Sequence, residues 1–162
     1  MKHLFFYFIF FSSSAFANFD SLVSQVSIDT KVPIQIIKAV CTHESQSFYK
    51  GKRQPWPWTL NVSGKGYWFK DFNSARSFAE LELFTGNKNI DIGLCQVSWK
   101  WHGQNFSSID DLLDPSTNIR YAAELVSSLK KRGVSWETAI GFYHSPSNSE
   151  RAKVYSDLVL SR

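Results

Sequence analysis

The sequence has little cysteine, no long hydrophobic run after its N-terminus and no block of like charge. Its 162 residues include two cysteines, and the formal net charge is +4. The cysteines and histidines lack the spacing of a zinc finger. The basic residues form neither a stripe nor a motif typical of nucleic-acid binding. No stretch after the N-terminus reaches the roughly 20 apolar residues that a membrane-spanning helix needs. These absences argue against metal-finger, nucleic-acid-binding and membrane-spanning proteins.

The first 17 residues have the layout of a secretory signal peptide. A charged start precedes a short apolar run over residues 4–11, and an Ala-x-Ala motif ends at Ala17. This order of features is typical of a cleaved leader. We therefore expect one domain over residues 18–162, located outside the cytoplasm, with no membrane span once the leader is removed. An uncleaved N-terminal anchor is the alternative.

Glu44 is the most informative residue, because it places a carboxylate within an apolar stripe. Residues 33–46 predict a helix, with Pro33 in the first turn, where its missing N–H costs nothing. At about 100° per residue, four apolar residues lie on the same face as Glu44. They are Ile36, Ile37, Val40 and Cys41.

A glutamate on such a stripe has a chemical consequence. Glu is rarely fully buried unless it is paired, and loss of water raises its pKa. A carboxylic acid that stays protonated near neutral pH is what general-acid catalysis requires. Glu44 is therefore the candidate catalytic acid. The alternative is that Glu44, in the last turn of the helix, bends out to water.

The rest of the chain predicts mainly helices. A first helix is expected over residues 19–30, capped by Asp20, and later helices are expected after Asp114, after Ser135 and over residues 148–160. Asp114 is followed by a proline, a pairing typical of a helix start. The last helix should turn Tyr155, Leu158 and Val159 to one side.

Residues 47–89 have a different character and are interpreted as an insertion. Two β-prone runs, 58–62 and 67–69, flank a Ser-Gly-Lys-Gly turn and predict a hairpin. A helix capped by Asn73 follows, with Phe78, Ala79 and Leu81 turned inward. The predicted fold class is α+β, predominantly α, with the outline of a lysozyme-like fold and a small β-hairpin insertion after the Glu44 helix. A helical bundle with a hairpin is the alternative.

Four short segments carry a resemblance to one family. They are Glu44-Ser45 at a helix end, Gly93-Leu94-Cys95-Gln96-Val97, Leu112-Leu113-Asp114-Pro115 with Asn118-Ile119, and Ala139-Ile140-Gly141-Phe142-Tyr143-His144. In this order, behind a leader, they resemble the soluble lytic transglycosylases (the SLT domain of the lysozyme-like superfamily), which cleave peptidoglycan. The resemblance covers about residues 19–160 apart from the insertion. The Trp-rich stretch over residues 55–69 resembles a branch associated with conjugation and type IV secretion.

The resemblance implies a reaction at the β-1,4 bond between N-acetylmuramic acid and N-acetylglucosamine. Glu44 would protonate the leaving oxygen and then, as a base, take the proton from the muramoyl 6-hydroxyl as that oxygen closes on the anomeric carbon. The product would be a 1,6-anhydro sugar, formed without water, metal or cofactor. It also implies a periplasmic protein whose partners are peptidoglycan strands and the proteins of a secretion or conjugation machine.

The resemblance also implies roles for residues near Glu44. Ser45 would hydrogen-bond near the reacting sugar or hold the helix end. Gln96 would contact an N-acetyl or hydroxyl group of the glycan. Tyr143 would direct its phenol to the Glu44 carboxyl, with an ordinary core aromatic as the alternative. His144 stands beside Tyr143, where the family pattern has Asn, and is expected to be a substrate-binding residue.

Asp91 leaves the reaction outcome open. It lies two residues before Gly93, where it could approach the sugar. If Asp91 positioned a water molecule, the enzyme would hydrolyse its substrate as a lysozyme does. The alternative, which the sequence favours, is an aspartate that shapes a turn. A third possibility is a wall-binding component of the secretion machine in which Glu44 is inert.

Two further features carry expectations. Cys95 replaces a Met of the family pattern, and with Cys41 it forms either a disulfide or a pair of buried thiols. Six aromatics suit flat sugar rings, but at most two are expected to contact glycan, because aromatics also fill small cores. The six are Trp56, Trp58, Tyr67, Trp68, Trp99 and Trp101. His43-Glu44 begins a zinc-protease motif, but Ser47 stands where the second His would be needed, so no metal is expected.

Overall fold

Helices account for most of the described chain. The computed structural model describes residues 13–49, 52–131 and 133–161, with the backbone alone for residues 13–17, 48, 49, 52 and 53. The helices in these ranges are α1 (Ser13–Thr30), α2 (Ile34–Ser45), α3 (Phe72–Phe84), α4 (Trp99–His102), α5 (Ile109–Leu113), α6 (Pro115–Leu129), α7 (Trp136–His144) and α8 (Ser149–Leu160). The strands are β1 (Ser47–Tyr49), β2 (Lys52–Gln54), β3 (Thr59–Val62), β4 (Lys65–Trp68), β5 (Ile90–Ile92) and β6 (Val97–Ser98). The fold is α+β and predominantly α, as predicted.

The N-terminal helix α1 begins earlier than predicted. Residues 1–12 of the expected leader lie outside the described residues, and residues 13–17 form the start of α1. Asp20 is therefore inside the helix, and the prediction that it caps the helix is wrong; its carboxylate instead pairs with Lys38 at 2.8 Å. Val23 and Val26 of this helix are buried in the core. Over the described ranges, none of the helices combines the length and the apolarity that crossing a bilayer requires.

Helix α2 carries the predicted apolar stripe into the core. Pro33 stands at its N-cap, and the four stripe residues are all buried. Gln46 follows the helix in the left-handed conformation (φ 44°), so the chain turns sharply after Ser45 into β1. Glu44 and Ser45 therefore lie where the helix meets the β-structure.

A four-stranded antiparallel sheet with the order β4-β3-β5-β6 lies beside the helices. The predicted hairpin is its β3–β4 pair, closed by Ser63 and Gly64, which both have positive φ (51° and 90°) as a two-residue hairpin turn requires. The sequence predicted one hairpin and missed the other four strands. Strands β1 and β2 form a second hairpin, and β5 and β6, beyond residue 89, complete the four-stranded sheet. Strands of two or three residues are too short to show an alternating pattern in the sequence.

The N-cap of helix α3 lies two residues before the predicted one. Asp71, not Asn73, is the N-cap, because its extended backbone lets the carboxylate accept a hydrogen bond from the Ser74 N–H at 2.8 Å. Ala79 is buried as predicted, but Leu81 is 58% exposed. Leu81 is two residues after Ala79 and so lies about 200° around the helix from the buried face.

The C-terminal helices bring the later site residues together. Asp114 caps α6 through the Thr117 N–H at 2.8 Å, and Pro115 follows in the first turn, as predicted. Helices α7 and α8 pack closely at Gly141, where an added Cβ would lie 2.5 Å from the carbonyl oxygen of Ala152. Tyr155 of α8 is buried as predicted, whereas Leu158 is 45% exposed and does not share its face.

Candidate active site

Glu44 lies in the wall of a cleft with a volume of about 980 Å³. The cleft runs between the end of α2, the four-stranded sheet, and helices α4 and α7. Its walls include Glu44, Asn61, Asp91, Gln96, Trp68, Trp101, Tyr143 and His144. This volume lies at the upper end of the range that ligand sites in proteins usually have. The Glu44 carboxyl therefore borders a concave surface and does not project into open solvent.

The surroundings of Glu44 keep its carboxyl partly protonated at neutral pH. Burial raises the pKa of Glu44 to about 7, and the nearby charge of Asp91 adds to the rise. A hydrogen bond from Tyr155 to Glu44 Oε1 opposes this rise by stabilising the carboxylate. A group with a pKa near 7 can both give and take a proton at neutral pH.

Tyr155 is the partner of Glu44 that sequence reasoning missed. Its ring stacks on His144 with centroids 4.4 Å apart, and the edge-on ring of His43 lies 5.3 Å away. Burial and the neighbouring Glu44 charge raise the pKa of Tyr155, so the phenol is a neutral donor. The sequence placed Tyr155 on the buried side of the last helix. Its contact with Glu44 could not be predicted, because the two residues are 111 positions apart in the sequence and no local pattern links them.

We expect Tyr155→Phe to raise the pKa of Glu44 further. The lost hydrogen bond favours the charged carboxylate, so its removal should move the pKa up from about 7, by about one unit. An NMR titration of ¹³C-labelled glutamate side chains measures this pKa. Tyr67→Phe is the control, because the Tyr67 ring packs against Phe78 and the same change there should leave the pKa of Glu44 unaltered. A pKa that stays the same or falls would contradict the assigned role of Tyr155.

Tyr143 does not make the predicted contact. Its hydroxyl donates to the carbonyl oxygen of Cys95 at 2.6 Å, so the prediction that it bonds the Glu44 carboxyl is wrong. Tyr143 still lines the cleft. Burial, with the charges of Glu44 and Asp91, raises its pKa well above the ordinary value. Tyr143 therefore holds the segment before Gln96, while Tyr155 bonds the acid.

Ser45 lies at the end of α2, in the wall of the cleft. It is fully buried, and its hydroxyl lies 3.4 Å from the carbonyl oxygen of Gln54 as donor in a long hydrogen bond. Its own carbonyl accepts from the indole N–H of Trp68 at 2.8 Å. These contacts support the alternative in which Ser45 holds the end of α2.

Gln96 closes the turn that joins β5 to β6. Its backbone is left-handed (φ 49°), and its Nε2 donates to the carbonyl oxygens of Thr59 at 3.1 Å and Gly93 at 2.8 Å. The side-chain nitrogen is thus used within the protein. The side-chain oxygen Oε1 is the atom through which Gln96, which borders the cleft, would meet a ligand.

Asn118 fixes the same turn from the side of α6. It is buried, its Oδ1 accepts from the Cys95 N–H at 2.9 Å, and its Nδ2 donates to the carbonyls of Ile92 and Leu112 at 2.8 and 2.9 Å. Gly93 has a φ of 80°, and a Cβ there would lie 2.5 Å from Asn118 Nδ2. Three of the four segments quoted for the resemblance therefore meet around Asn118 and Tyr143. The sequence did not reveal that Asn118 joins these segments.

Comparison of the chain with known protein families, curated proteins and solved structures found no match. Functional inference therefore starts from the arrangement around Glu44. In that arrangement an acid with a pKa near 7 and a second carboxylate, Asp91, border one cleft, and the phenol of Tyr155 donates a hydrogen bond to the acid. Within the described ranges, no group of three or more His, Cys, Asp or Glu residues could hold a metal ion.

Asp91 is the second carboxylate of the cleft. It is the middle residue of β5, paired with Asn61 on one side and Ser98 on the other, so the interpretation as a turn residue is wrong. Burial raises its pKa, while a hydrogen bond with Ser98 and the neighbouring His144 oppose the rise. Burial lowers the pKa of His144, which favours the neutral imidazole at pH 7.

Two of the six candidate aromatics line the cleft. Trp68 and Trp101 are 51% and 66% exposed and stand on the sheet side and the α4 side of the cleft. The other four pack within the protein and do not line it. They are Trp56 and Trp58, which contact each other, Tyr67 and Trp99. The two exposed indoles present flat apolar faces to a ligand in the cleft.

Proposed function

We propose that this protein is a peptidoglycan lytic transglycosylase that cleaves the β-1,4 bond between N-acetylmuramic acid and N-acetylglucosamine. The observation that carries the proposal is Glu44, whose carboxyl borders a cleft of about 980 Å³ with a pKa of about 7. The order of the four segments and the two exposed indoles support the substrate class. The fold would then be a variant of the lysozyme-like fold, with the sheet and α3 enlarging one wall.

The proposed reaction needs one carboxyl group in two protonation states. Protonated Glu44 gives its proton to the glycosidic oxygen as the bond from that oxygen to the anomeric carbon breaks. The muramoyl 6-hydroxyl oxygen then bonds to the anomeric carbon, and its proton returns to Glu44. Because the attack is intramolecular, a high effective concentration favours it over attack by water. The Tyr155 hydrogen bond stabilises the carboxylate between the two proton transfers.

Hydrolysis, as in a lysozyme, is the second candidate, and the position of Asp91 favours it. Most glycosidases use two carboxylates, and Asp91 lines the same cleft as Glu44 and influences its pKa. In that reaction Asp91 would orient a water molecule toward the anomeric carbon. The protein would otherwise bind the same glycan in the same way.

Mass spectrometry of fragments released from purified peptidoglycan tests both candidates. We expect muramoyl ends lighter by one water than hydrolysed ends, because the 6-hydroxyl replaces water as the nucleophile. Asp91→Asn should leave this product unchanged. Hydrolysed ends that disappear in Asp91→Asn would instead establish the second candidate. We further propose a periplasmic site of action, where local opening of the wall would serve a secretion or conjugation machine.

A further inference from the structure

A disulfide bond joins helix α2, which carries Glu44, to the turn that carries Gln96. The sulfurs of Cys41 and Cys95 are bonded, which settles the choice that the sequence left open. Cys41 lies three residues before Glu44, on the same face of α2, and Cys95 directly precedes Gln96. Both cysteines are buried, at 1% and 0% exposure. The bond therefore connects the last turns of α2 directly to the turn between β5 and β6.

The Cys95 end of this bond is already fixed to the C-terminal helices. The Cys95 N–H donates to Asn118 of α6 at 2.9 Å, and its carbonyl accepts from Tyr143 of α7 at 2.6 Å. Both backbone polar groups of Cys95 are thus held by buried or partly buried side chains. The disulfide transmits this fixed position to α2, one helical turn from Glu44.

We propose that the Cys41–Cys95 disulfide is a positioning element for Glu44, and that glycan cleavage depends on its redox state. This inference rests on the proposed function. Two electrons and two protons from a dithiol convert the bridge into two thiols, and the dithiol becomes a disulfide. The end of α2 is then held by noncovalent contacts alone. A chain that folds in a reducing compartment is therefore a weak enzyme until its cysteines are oxidised.

The property that reports the position of Glu44 is the pKa of its carboxyl. The titratable groups that interact with it are Tyr155 of α8, Tyr143 of α7 and Asp91 of β5. His144 of α7 stacks on Tyr155 and interacts with Asp91. Movement of the α2 end away from these elements lets water reach the carboxyl. Because burial is the main cause of the raised pKa, water lowers it toward the ordinary value of 4.5.

The test compares oxidised protein with protein reduced in denaturant and refolded with dithiothreitol, since the buried bond is shielded in the folded state. Near-ultraviolet circular dichroism first checks folding. The pKa of Glu44 is then measured by ¹³C NMR, and kcat and KM are measured on peptidoglycan. We expect the reduced, folded protein to have a lower Glu44 pKa and a kcat lower by roughly 10- to 100-fold, with KM changed far less. The variant Cys41→Val/Cys95→Met should behave as the reduced protein does, with or without dithiothreitol.

Each outcome decides the proposal. An unchanged Glu44 pKa and an unchanged kcat in folded, reduced protein would overturn it. If the reduced protein does not fold, the double variant replaces it in the same titration. Failure of both to fold would also overturn it, because the bond would then be a condition of folding. If no form cleaves peptidoglycan, the proposed function fails, while the pKa comparison still tests the positioning role.

Discussion

Glu44→Gln should abolish peptidoglycan cleavage while the protein remains folded. The amide has no proton to give at neutral pH, and loss of a general acid typically costs about 10²- to 10⁴-fold in rate. Loss of turbidity of purified peptidoglycan measures the rate. Glu150→Gln, the same change at an exposed position on α8, should cleave at the original rate. An unchanged rate in Glu44→Gln would remove the enzyme assignment and favour a wall-binding component.

Glu44→Gln should be more stable than the wild-type protein at alkaline pH. A stable variant that does not cleave peptidoglycan would show that the loss of activity is not caused by unfolding. Between the ordinary pKa of 4.5 and the folded-state value of about 7, the folded protein holds a proton on Glu44 that the unfolded chain has released. The free energy of unfolding therefore falls as pH rises through this window. Gln does not titrate, so at pH 8 we expect Glu44→Gln to be more stable by about 2 kcal/mol. Urea unfolding at pH 4 and pH 8 measures the difference, which should be smaller at pH 4.

Asn118→Ala should be the most destabilising single change around the cleft. It removes the partners of the Cys95 N–H and of the Ile92 and Leu112 carbonyls, all buried. Each buried polar group left without a partner costs about 1–3 kcal/mol, so we expect a loss of about 3–5 kcal/mol. The free energy of unfolding from urea titration measures this loss.

Asn105→Ala is the matched control for this prediction. The Asn105 side chain is exposed and donates one hydrogen bond to Tyr121 at 2.8 Å. Its removal should change the free energy of unfolding by no more than about 0.5 kcal/mol. Equal losses from the two variants would contradict the role assigned to Asn118 in holding the turn before Gln96.

The sequence predicted those parts of the fold that depend on local patterns. The α2 stripe, the cap at Asp114 and the turn at Ser63-Gly64 each have a signal within a few residues, and the structure confirms all three. The cap at Asn73 failed by two residues because two polar side chains compete for one helix start. The short strands β5 and β6 left no periodic signal, so the full sheet was missed.

The sequence identified Glu44 as the candidate acid, but it did not predict the hydrogen bonds around that residue. Glu44 stands out because a carboxylate interrupts an apolar stripe. Which of two tyrosines bonds it depends on how α7 and α8 pack at Gly141, and that packing brings Tyr155 to the acid and leaves Tyr143 on Cys95. Ser45 has a polar side chain beside the acid, yet the turn after α2 buries it.

The most direct test of the account is the pKa of Glu44 in the intact, oxidised protein. A ¹³C NMR titration of labelled glutamate side chains, with the Glu44 signal assigned by its absence in Glu44→Gln, measures it without any substrate. We expect a midpoint near 7, because the carboxyl is buried in the cleft wall. A midpoint near the ordinary value of 4.5 would contradict it, because Glu44 would then be fully ionised at neutral pH and have no proton to donate.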